Sequence, residues 1–126
     1  MRLLLDTHAF LWWLADSPKL AKSARSAISD PSSVIWISAV SVWEISIKKA
    51  LGKLQIDSDD LVQEISDNGF IELSISARHA VVAGNLPRHH DDPFDRMLIA
   101  QAQTDQLLVV THDSAFESYG VQIVPT

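Results

Sequence analysis

Asp91, Asp92 and Asp95 stand at the head of the stretch HHDDPFDRMLIAQA (89–102), and the last of them falls on an oily helix face. Leu98, Ile99 and Ala102 follow Asp95 at the spacings that place residues on one side of a helix. An isolated ionised carboxylate packed there costs several kcal/mol, so it needs a helix N-terminus, a base or a metal cation to compensate. Three more acids hold comparable places. Asp6 directly follows the apolar run RLLL, Asp113 follows LLVVTH, and Glu44 lies one turn into the helix that follows SVIWIS. Hard divalent cations such as Mg²⁺ or Mn²⁺ take oxygen ligands of this kind, one or two carboxylates completed by water and phosphate.

Each acid also has a plainer reading. SVWE fits a capping box, with Ser41 as N-cap and Glu44 three residues on. DPFD places Asp92 as N-cap, Pro93 first in the helix and Asp95 third. Asp6 and Asp113 would cap the helices after their strands. Capping requires no crowding, however, and four acids on one rim form a cluster of like charge whose members repel and raise one another's pKa. The combination favours a metal site.

The elements that must position these acids alternate. Strands are expected at RLLLD (2–6), SVIWIS (33–38), FIELS (70–74), LLVVT (107–111) and VQIV (121–124). Helices are expected over HAFLWWLAD, KLAKSARSAISD, SVWEISIKKALG (41–52, closed by Gly52), SDDLVQEISDNG (58–69, capped by Ser58), SARHAVVAGNL (76–86) and PFDRMLIAQAQTDQ, with a short one at DSAFESY. Short continuous apolar strands are buried on both faces, as in a parallel sheet with helices on each side. The reading is a three-layer α/β/α domain of five mostly parallel strands, spanning 1–126. In such sheets ligands bind beyond the carboxyl ends of the strands, where the strand order reverses. Asp6 and Asp113 belong to that rim, and they meet if strands one and four are neighbours.

Composition narrows the class. A chain of 126 residues suits one domain, and 47% hydrophobic content is ordinary for a globular protein. The absence of cysteine removes disulfides and thiolate metal sites and fits a reducing cytoplasm. No apolar run reaches a membrane-spanning length, and no cleavage pattern follows the short N-terminal run, so a cytoplasmic protein is expected. A net charge of −6 argues against a broad basic nucleic-acid footprint and for bound cations or a cationic partner.

The stretches LLLDTHAFLWWL, ISAVSVWEISIKKALGKL, DPFDRMLIAQA and LLVVTHDSAFESYGV, which run through nearly the whole chain, resemble the PIN-domain ribonucleases, most closely the VapC-type toxins of bacterial type II toxin–antitoxin pairs. The resemblance implies a strand order of 3-2-1-4-5 and Mg²⁺-dependent cleavage of RNA, leaving 5′-phosphate and 3′-hydroxyl ends. Carried over by motif, the catalytic and metal-binding acids are Asp6 from LLLDT, Glu44 from SVWEIS, Asp95 from DPFDR and Asp113 from VTHD. Asp6 and Asp95 hold the principal cation, and Asp92 is left as a helix cap. The resemblance also implies a cognate antitoxin as partner, and a homodimer.

For the remaining polar residues two readings stand. Lys48, Lys49 and Lys53 contact phosphate or form a solvated face, with Lys48 pairing Glu44 one turn away. Arg96 pairs with an acid or approaches RNA. His8 and His112 shuttle protons or hydrogen-bond the acids, and Thr7, Ser41 and Thr111 bond the acids or cap helices. His89 and His90 lie in a polar loop, and no HExxH pair suggests zinc. Phe10, Trp12, Trp13 and Leu14 make the first helix apolar around most of its circumference, more than one sheet-facing stripe requires, so another chain is expected to cover part of it. Two rival classes remain for comparison. Aspartate-based phosphoryl-transfer domains want a late lysine, and none follows Lys53. A pure binding module would use its acids only to dock a basic partner and would need no metal.

Overall fold

The computed structural model describes residues 1–126. Its centre is β1 (Arg2–Leu5), whose three leucines are fully buried. Alternation sends Leu3 and Leu5 to one side of the sheet and Leu4 to the other, where each joins a different apolar core. The first core takes Ala9 and Phe10 of α1 (Thr7–Leu14), Ala24, Ala27 and Ile28 of α2 (Lys22–Ser29) and Ile65 of α4 (Leu61–Asp67). The second takes Leu98, Ile99 and Ala102 of α6 (Pro93–Asp105), with Phe116 and Tyr119 of a 3₁₀ helix (Ser114–Tyr119). Helix α3 (Ala39–Ala50) serves both, sending Val40 to one core and Ile45 to the other. The remaining helix, α5 (Ala77–Asn85), packs against α6. Each buried Leu, Ile or Phe contributes about 1.5–3 kcal/mol relative to exposure, so both layers are held principally by apolar burial.

The other strands are β2 (Val34–Ser38), β3 (Ile71–Leu73), β4 (Leu108–Thr111) and β5 (Ile123–Pro125). Their order is 3-2-1-4-5 and every pairing is parallel. The order is as expected, and "mostly parallel" becomes wholly parallel. Strands β1 and β4 are neighbours, with Leu5 opposite Val110. The Asp6 N–H extends this ladder onto the Val110 carbonyl at 3.1 Å, which brings Asp6 alongside Thr111. Burial on both faces holds for β1 and β4 but not for the edge strand β3, where Ile71 is exposed.

Several boundaries move. Helix α3 begins at Ala39 with Ser38 as N-cap, so Ser41 is no cap and lies fully buried inside the helix. The cap of α4 is Asp60, whose carboxylate accepts the Gln63 N–H, and not Ser58. Gly52, at φ +72°, does close α3: its N–H bonds the Lys49 carbonyl and the Lys53 N–H bonds that of Lys48.

Candidate active site

Three helix starts and two strand ends meet at the carboxyl edge of the sheet. Asp6 ends β1 and caps α1, its Oδ1 accepting the Ala9 N–H at 2.8 Å. Asp92 caps α6 by accepting the Phe94 and Asp95 N–H groups, with Pro93 at the first position. Asp113 follows β4 and caps the 3₁₀ helix through the Ala115 N–H. These caps are as the sequence suggests, and yet all three carboxylates also line one cleft of about 320 Å³. Glu44, Asp95, Thr7, His8, Lys48, His112 and Ser114 complete its wall, and none of the lining residues is hydrophobic. The four acids expected from the sequence are thus brought together, with Asp92 as a fifth.

Glu44 is buried and bridged. Thr7 Oγ1 lies 2.7 Å from its Oε1 and 3.0 Å from Ser41 Oγ, and Lys48 Nζ lies 2.6 Å from its Oε2. Having a single proton, the Thr7 hydroxyl donates to the carboxylate and accepts from Ser41. The Glu44 hydrogen bond holds the Lys48 ammonium above its usual range. Lys48 is therefore both the expected one-turn ion pair and a cleft residue. Lys49 and Lys53 are exposed and do not line the cleft.

Burial pushes the Asp6 carboxyl upward, and hydrogen bonds from the Thr111 side chain and the Ala9 N–H partly offset this. Asp95 is pushed up to about 7, chiefly by burial, then by the Asp92 charge, with smaller contributions from Asp6 and Glu44 against the opposing effect of His90. Its helix facemates Leu98, Ile99 and Ala102 are all buried, so the oily surroundings read from the sequence are real.

His90 is the site residue that the sequence did not reveal. Its Nε2 lies 3.0 Å from Asp95 Oδ2 and 3.1 Å from Asp113 Oδ2. Its Nδ1 accepts the Asp92 N–H at 3.1 Å, so the proton sits on Nε2 and points between the two acids. No spacing rule marks it, because a loop rather than a helix face delivers it. Arg96 shapes that loop. Its guanidinium donates to four backbone carbonyls, those of Ala83, Leu86, Pro87 and His90, at 2.9–3.2 Å. Neither an acid nor the open cleft receives it, so the expectation that Arg96 pairs with an acid or approaches RNA gives way to a loop-fixing role. His8 and His112 line the cleft, where His8 stacks on Trp12 and His112 lies tilted against it.

This donor set suits a hard divalent cation. Five carboxylates supply oxygen, no sulfur is present, and Asp95 carries repulsion that a cation would relieve. The ligand atoms of His90, Asp95 and Asp113 lie within 4.8 Å of one another. No helix is long and apolar enough to cross a membrane.

A parallel sheet of order 3-2-1-4-5 with this acidic cleft at its carboxyl edge is the arrangement of a PIN domain. The PIN domain family model matches residues 3–122, and the chain belongs to that family. No curated protein matches it significantly by sequence alone. Among solved structures it is similar to VapBC2 of Rickettsia felis bound to a promoter DNA fragment, at 15% identity and a TM-score of 0.69, covering 99% of this chain and 98% of that one. A toxin–antitoxin complex of Klebsiella pneumoniae aligns at 17% identity and a TM-score of 0.66, covering 97% and 95%. FitAcB of Neisseria gonorrhoeae aligns at 18% identity and a TM-score of 0.62, covering 96% and 95%. At these identities the likeness is one of fold.

Proposed function

We propose that this chain is a Mg²⁺-dependent endoribonuclease, the toxin of a type II toxin–antitoxin pair acting in the cytoplasm. The observation that carries the reading is the meeting of Asp6, Glu44, Asp95 and Asp113, from separate parts of the chain, in one apolar-free cleft. Asp6 and Asp95 would hold the principal cation, Mg²⁺ or Mn²⁺, with Glu44 and Asp113 completing the site directly or through water. When bound, such a cation supplies an activated water for in-line attack on a phosphodiester and stabilises the charge that develops. The protein's part is placement. Caps fix Asp6 and Asp113, Thr7 and Ser41 fix Glu44, and His90 holds Asp95 and Asp113 facing one another. Lys48 is the cation nearest the acids and is suited to meet a phosphate oxygen as well as Glu44. No side chain need act as a covalent nucleophile.

The partner reading rests on the similar structures, several of which are toxin–antitoxin complexes, and on the half-buried Leu11, Trp12 and Leu14. With Leu54 and Ile56 these line a groove of about 440 Å³ beside the acidic cleft, suited to an antitoxin segment. A homodimer is part of the same reading.

The test is cleavage of RNA by the pure chain during Mg²⁺ titration, beside Asp95→Asn. Cleavage should require the cation and leave 5′-phosphate and 3′-hydroxyl ends. Loss of groups that merely orient metal ligands costs about 10- to 100-fold, so Asp95→Asn should lose at least about 100-fold. Cleavage that persists in excess chelator, or at full rate in the variant, overturns the reading.

A further inference from the structure

We propose that His8, Trp12 and His112 form a stacking platform for an unpaired nucleobase beside the phosphodiester held over the acidic cleft. The inference rests on the ribonuclease reading above and deepens it.

The three rings form one continuous group. His8 stacks on Trp12, with centroids 5.8 Å apart and planes 29° from parallel. His112 lies 5.4 Å from Trp12 at 36° and meets His8 edge-on at 5.8 Å. The fold brings these rings together. His8 lies in the first turn of α1, two residues after Asp6, and His112 directly follows β4, one before Asp113; β1 and β4 are neighbours, and Trp12 lies one helical turn beyond His8. His8 and His112 are solvent-exposed and line the acidic cleft, while His8 and Trp12 also line the adjoining groove. The platform therefore runs from the acids outward.

Charge favours such a platform. Nucleic-acid affinity ordinarily comes from cationic side chains that displace counterions from phosphates. Here the net charge is −6, and the cleft holds five carboxylates against one lysine. Base stacking on aromatic rings is indifferent to that deficit and tolerates any base sequence. It requires a base free of its own stack, which loops, bulges and ends offer and duplexes withhold.

The test uses a short single-stranded RNA carrying 2-aminopurine next to the cleaved linkage, with Mg²⁺ and the full chain. Binding should quench 2-aminopurine before cleavage, and the same linkage in a duplex should be cleaved poorly. His112→Ala and His8→Ala should each raise KM at least about fivefold, the loss falling chiefly on KM, and His112→Phe should restore it because the ring is kept. An unchanged KM in both alanine variants, with no quench in the wild-type chain, overturns the platform while leaving the nuclease intact. Equal cleavage of single strand and duplex also overturns it. Variants that keep the wild-type KM but no longer bind an antitoxin would make these rings a protein-docking face, again overturning the proposal. A wild-type chain that cleaves no RNA removes both readings together.

Discussion

Asp95 shows how a side chain can be costly to the fold and suited to hold a cation. Its carboxyl is pushed up to about 7 by burial and neighbouring acids. A carboxyl whose folded pKa exceeds its unfolded value stabilises the native state fully below the unfolded pKa, and that contribution is lost as pH rises through the folded pKa. Without divalent cations, Asp95 should therefore lower stability progressively from the unfolded carboxyl range near 4 to about 7. Asp95→Asn, which cannot ionise, should flatten that part of the profile and be more stable than the wild-type chain at about pH 8. Urea denaturation in chelator checks this, and a less stable variant at that pH would contradict it. The acid's placement was legible because helical periodicity set it above Leu98, Ile99 and Ala102. His90 was not, since its role depends on a loop path that sequence periodicity does not encode.

At the scale of elements, strand ends and helix starts were readable wherever a carboxylate cap or a Gly stop marked them, as at Asp92 and Gly52. Helix α3 shows why the remainder was less legible. Two serines three residues apart, Ser38 and Ser41, both precede apolar turns, and burial decides between them. Ser38 starts the helix directly off β2, which leaves Ser41 inside to meet Thr7. Arg96 illustrates another limit, because a charged residue beside Asp95 suggests chemistry whereas its guanidinium serves the loop between α5 and α6. Arg96→Lys should cost about 1–3 kcal/mol, since an ammonium cannot reproduce the planar fork and leaves carbonyls without partners. Amide hydrogen exchange should quicken in the α5–α6 loop. Wild-type protection in the lysine variant would contradict the assignment.

For the whole molecule, the expected three-layer sheet of order 3-2-1-4-5 is present, and it is this order that sets β1 beside β4 and brings Asp6 near Asp113. The short outer strands were the least predictable part. Exposed Ile71 on β3 and the three-residue β5 carry little of the buried pattern that marks a central strand. The crowding of acids also has a global consequence. A cation that binds only the folded chain raises its melting temperature by mass action. Mg²⁺ should raise the melting temperature clearly at about pH 8 and much less at about pH 5, where a proton already occupies Asp95. Thermal denaturation at the two pH values checks this, and equal shifts at both would count against Asp95 as a ligand.

Asp6, Asp92 and Asp113 each start a helix with one oxygen while facing the cleft. On the nuclease reading, selection for folding and selection for chemistry act on the same side chains at Asp6 and Asp113. A descendant of this chain that had lost its activity would still be under pressure to keep these aspartates, so their survival in a gene would say little about whether its product still cuts. Asparagine, which can take over the cap and not the charge, is the substitution by which a silenced copy would betray itself.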